Sequence, residues 1–193
     1  MQQMQIALSV PPQPAVDTKP PPRFFTGGNS WPELYRLAAL WHGKRRGRFM
    51  PARSDLDPIE LKPWAGWLSL VRVLDGGENF VFVVHGTHAG WVTGLALQGR
   101  TTDALPPSAR LPVVESYRLA CHLRRPLFSA MIARDDLHRR VVLERTILPL
   151  SGDGVTVDRL LVGLGRHEIE TDEIPDYRRS LQGCDVTLAI IDP

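Results

Sequence analysis

The sequence predicts an α+β domain: an antiparallel sheet with helices covering one face. Three observations predict it. Five apolar runs of strand length, at 68–74, 80–85, 127–134, 139–150 and 156–166, are bounded by glycine-, aspartate- and proline-rich breaks. Short turns join neighbouring runs at both ends of the set, and strands joined that way pair antiparallel. Helical periodicity falls before the strands and between the second and third.

Residues 1–29 read as a flexible tail. Pro11, Pro12, Pro14, Pro20, Pro21 and Pro22 lack backbone donors and oppose helix, which leaves extended chain or a proline-rich partner ligand. Residues 30–67 read as an N-terminal helical cap. Ser30 is the expected first cap, Pro32 suits the first turn, and Glu33 completes a capping box. Leu34, Leu37, Ala38 and Trp41 follow at helical spacing, with Gly43 as the expected stop. With Trp31, the residues Leu34, Leu37 and Trp41 form an apolar face that must dock on something, and a partner surface is one reading. The basic run Lys44, Arg45, Arg46, Arg48 and Arg53 suits a helix C-terminus. An acidic-partner site is the alternative. A second short helix starts at Asp57-Pro58, with Asp57 as cap, and Pro63 ends it.

Residues 68–168 read as the core. Asp75-Gly76-Gly77 turns the chain between the first two strands, and Gly86 breaks the second. Residues 87–94 suit one or two helical turns. Val113, Val114, Tyr117 and Cys121 share one face of a helix expected over 112–124. Asp135-Asp136 and Ser151-Gly152-Asp153-Gly154 are the turns among the last three strands. Residues 169–193 form an appendage, continuing the acidic stretch that opens at Glu168 and then carrying an apolar run at 186–191.

Composition narrows the function. The chain has 193 residues, is 43% hydrophobic and 23% charged, and carries a net charge of +2. A chain of this size buries roughly 70% of its unfolded surface and needs no covalent staple. The charge supplies no general field for nucleic acid. Cys121 and Cys184 have no framework or zinc spacing. No run approaches the roughly 20 apolar residues of a membrane helix, and the first residues do not resemble a secretory signal. A cytoplasmic protein is expected, without nucleic acid or membrane partners.

An ordered set of motifs carries a resemblance. They are Trp41 with the basic run behind it, Met50-Pro51-Ala52-Arg53, and Asp55-Leu56-Asp57-Pro58-Ile59-Glu60-Leu61. Next come Gly86-Thr87, Gly99-Arg100, Arg125-Pro126-Leu127, the strand 142–150, and Asp158-Arg159-Leu160-Leu161. Over residues 37–164 the chain resembles a family of bacterial PAS-domain proteins, known mostly from alphaproteobacteria and often a single domain. The resemblance implies a PAS-like five-stranded antiparallel sheet cupped around a small interior, with a signalling or regulatory role. It supplies no catalytic residue. The chain departs from the family pattern at His85 and His88, where an apolar and a variable residue are expected.

Candidate chemistry is sparse. There is no Gly-x-Ser-x-Gly elbow. Gly163 and Gly165 lie late in a strand with no helix behind them, so they make no dinucleotide loop. A non-enzymatic module is expected. His85 and His88 are the weak metal or haem candidates, but a third ligand is not in view. The cup interior is the better site. Phe82, Val84, Trp91, Tyr117, Cys121, Met131 and Leu143 are the expected wall, and a plainly filled core is the alternative. The sequence leaves the ligand and any cofactor unidentified. Expected partners are a small-molecule ligand, a separate signalling protein, or a second copy in a homodimer.

Overall fold

The computed structural model describes residues 31–134, 140–168 and 185–190. The expected tail, the cap Ser30, the turn at 135–136 and the acidic stretch beyond residue 168 lie outside the described residues, as do the side chains of Trp31, Trp91 and Met131.

The order of elements follows the expectation closely. Helix α1 (Trp31–Lys44) precedes the short α2 (Pro58–Leu61) and a 3-10 segment, Lys62–Trp67. Strands β1 (Leu68–Leu74) and β2 (Asn79–His85) follow, then α3 (Thr87–Thr93) and α4 (Pro107–Leu123). Strands β3 (Leu127–Arg134), β4 (Arg140–Leu150) and β5 (Arg159–Glu168) complete the core. These five strands pair antiparallel in the order β2-β1-β5-β4-β3. The C-terminal apolar run adds a sixth strand, β6 (Asp185–Ile190), which pairs parallel to β3 at the sheet edge.

Local chemistry explains the boundaries. Asp57 caps α2 by accepting from Ile59 N at 2.8 Å, and Gly94 closes α3 at a φ of 67°. Helix α4 starts five residues earlier than expected, because Pro106 O accepts from Ala109 N and Arg110 N at 3.0 and 2.9 Å. Pro107 takes the first turn, where a missing donor costs nothing, and Pro112 falls inside the helix. Strand β5 starts late because Asp153 holds Val155 N and Thr156 N at 2.8 and 2.7 Å in the preceding turn.

Alternation along each strand sorts the sheet into two faces. Helix α1 covers the outer face over β4 and β5. Tyr35 packs on Phe128 at 4.9 Å, and Trp41 Nε1 donates to Pro149 O at 2.7 Å. Leu34, Leu37 and Trp41 are therefore buried within the fold, which corrects their reading as a partner surface. Gly163 of β5 makes this docking close: a Cβ there would stand 2.8 Å from Leu37 Cδ2 and 3.1 Å from Leu34 Cδ2.

The basic run is tied into the same cap. Lys44 pairs with Glu60 at 2.5 Å and Arg48 with Asp55 at 2.6 Å, while Arg45 lies over the Trp41 ring. Asp55 also accepts from Ala52 N at 2.7 Å, and Met50 and Leu56 are buried. The motifs at 50–61 thus form a clasp between α1 and the sheet. Among the described residues no helix is long and apolar enough to cross a membrane.

Candidate functional site

The inner face of the sheet lies beneath α4. Tyr117 of α4 meets Phe80 of β2 edge-on at 5.2 Å, and Val113, Ser116, Tyr117 and Ala120 are all buried at helical spacing. From the sheet, Val71, Phe80, Phe82, Ile147, Leu160 and Val162 supply an apolar lining.

A β-bulge re-aims the end of β2. Val71 pairs with Phe82, but Leu70 pairs with Val84, so Val83 is left without an opposite residue. Strict alternation would carry Val84 inward after Phe80 and Phe82. The bulge turns Val84 outward instead, 45% exposed, and brings His85 to the Phe82 face. This corrects Val84 as a wall residue. His85 meets Phe82 edge-on at 5.7 Å, and its Nδ1 lies 2.9 Å from Ser69 Oγ. Its Nε2 is buried without a hydrogen-bond partner among the described residues. Burial pulls the imidazole pKa down to about 4, so the ring is neutral near pH 7.

His88 takes a different role. It stacks on Trp67 at 5.2 Å, and its Nδ1 lies 1.9 Å from where a Cβ on residue 66 would stand, so Gly66 makes room for the ring. Gly86 approaches backbone just as closely: a Cβ there would meet Gly66 O at 2.3 Å. Among the described residues no group of three His, Cys, Asp or Glu side chains is placed to hold a metal.

Phe82 and Tyr117 are buried on the inner face, and Leu143 packs partly buried against the core. Met131 stands opposite Leu143 in the sheet, and Trp91 lies in α3. Cys121 is half-buried, and burial pushes its thiol up to about 11, which suppresses the nucleophilic thiolate.

The sequence reading missed the most unusual inner residue, Arg145. It sits in β4 between β3 and β5 and is 4% exposed. Its Nε and Nη2 donate to Ser129 Oγ at 3.0 and 2.8 Å, and Nη2 donates to Ser116 Oγ at 3.1 Å. Burial lowers its pKa, while Tyr117 acts the other way. The neighbouring Glu144 points to the opposite face, as adjacent strand residues must. An uncompensated buried ion costs several kcal/mol even after relaxation, on the order of 3–5.

The chain belongs to the PAS domain family, whose model matches residues 30–164. Among solved structures it is similar to the LOV protein of Rhodobacter sphaeroides, at 15% identity over 77% of this chain and 73% of that one, with a TM-score of 0.39. It is also similar to a single-residue variant of RsLOV, at 14% identity over 64% of this chain and 76% of that one, with a TM-score of 0.40. No curated protein matches.

Proposed function

We propose that this chain is a non-enzymatic, cytoplasmic sensory module that binds a small ligand inside its cup and passes the occupancy to a separate signalling protein. Membership of the PAS domain family supports the sensory class. The observation that carries ligand binding is Arg145, a buried charge that a core built only for packing has no use for. A ligand that binds one arrangement of α4 against the sheet more tightly shifts the population toward it.

Native mass spectrometry of protein purified from its own host tests this reading. A mass excess lost on denaturation supports it and identifies the ligand class. A bare mass at every preparation overturns it in favour of a filled core. A second reading, a pure interaction domain, is favoured by Val83 and Val84, which stand exposed on the edge strand β2. A coloured or metal-bearing preparation would instead assign His85 the role of a haem or metal ligand.

A further inference from the structure

The polar groups around Arg145 are unbalanced in one direction. Ser116 gives its proton to Val113 O at 2.7 Å and accepts from Arg145. Ser129 accepts two N–H groups from Arg145, and its own proton has no acceptor among the described residues. The Nη1 amino group of Arg145 donates to none of the described residues. Tyr117, adjacent to Ser116 on α4, feels the charge of Arg145, and its hydroxyl has no described partner. The unmatched groups beside Arg145 on this face of the sheet are therefore donors, and the charge there is positive; the buried carboxylate of Glu144 lies on the opposite face.

Such a centre suits an anion. A guanidinium presents a planar fork that fits a carboxylate or a phosphate. Charge decides between them. One carboxylate balances one guanidinium, whereas a phosphate dianion would leave excess negative charge in an interior where the described residues bury no second cation. The same face carries Phe80, Phe82, Ile147 and Leu160, which suit an apolar body.

We propose that the cup binds a small organic monocarboxylate with an apolar or aromatic body, its carboxylate held by Arg145 with the Tyr117 and Ser129 hydroxyls donating to it. This rests on the sensor reading above and names its ligand class. Arg145 thereby gains a counter-charge on its own face of the sheet, and α4 and the sheet are bridged through one ligand.

The test is calorimetric titration and thermal shift of the full chain with matched probes: octanoate and benzoate, their uncharged amides, and inorganic phosphate. The expected result is that a carboxylate binds at least about 100-fold tighter than its amide. Arg145→Met abolishes that preference. Tyr117→Phe and Ser129→Ala each weaken carboxylate binding by about 10-fold and keep the inference testable if Arg145→Met fails to fold. Equal binding of acid and amide, or carboxylate binding retained in Arg145→Met, overturns the inference and leaves the sensor reading standing. So does a neutral ligand found in the native mass. Binding of phosphate alone overturns the carboxylate class. No binding of any probe together with a bare native mass overturns both.

Discussion

Glu144, Arg145 and Thr146 are three consecutive polar residues in the middle of a strand with neighbours on both sides, and all three are buried. A strand covered on both faces normally reads as a continuous apolar run. The interruption was legible in the sequence as a polar triplet between Val141-Val142-Leu143 and Ile147-Leu148. What it lacked was a partner: Ser116 lies 29 residues away and only packing brings it to Arg145. His85 adds a pH dependence at the same scale. Its ordinary pKa is 6.5 and its folded value about 4, so between those values the unfolded chain binds a proton that the folded chain refuses. Stability from this group is full above pH 6.5 and falls as pH drops toward 4. The expected loss is roughly 1–2 kcal/mol after discounting for solvent access. Denaturation midpoints measured from pH 7 to 4 should fall less steeply for His85→Leu than for wild type. Parallel curves would remove His85 as the cause.

At the scale of elements, the docking of α1 is the feature most open to a single change. Leu34 and Leu37 were legible as an apolar stripe, and their target was not, because a stripe specifies that a helix packs and not what it packs on. Gly163 supplies the target by leaving space on β5. Gly163→Val should push α1 off the sheet and destabilise the protein by about 2 kcal/mol, read as a lower urea midpoint. An unchanged midpoint would mean that the leucine side chains move aside without cost. The same limit explains α4. Periodicity located its buried face, yet Pro112 misplaced its start, since a proline read locally marks a helix beginning more often than an interior.

At the scale of the whole molecule, β6 changes the outline of the sheet. In the sequence its apolar run is only part of an appendage, and in the fold it pairs with β3 along residues 127–132. Removing residues 185–193 should leave the β3 edge open. Concentration-dependent association on gel filtration is the expected outcome. A truncated chain that stays at one elution volume would show that the edge needs no cover.

The sequence by itself determined the α+β class, four of the five core strands to within a residue or so, the cap helices and the turns at 75–77 and 151–154. Each of these depends on neighbours in the chain, through periodicity, caps and backbone freedom. Only the tertiary structure decided which face each residue serves. A one-residue bulge opposite Leu70 and Val71 exchanged Val84 for His85, and cross-strand pairing set Arg145 against Ser129. Such placements are long-range: they follow from the register between strands, which no local pattern in the chain encodes.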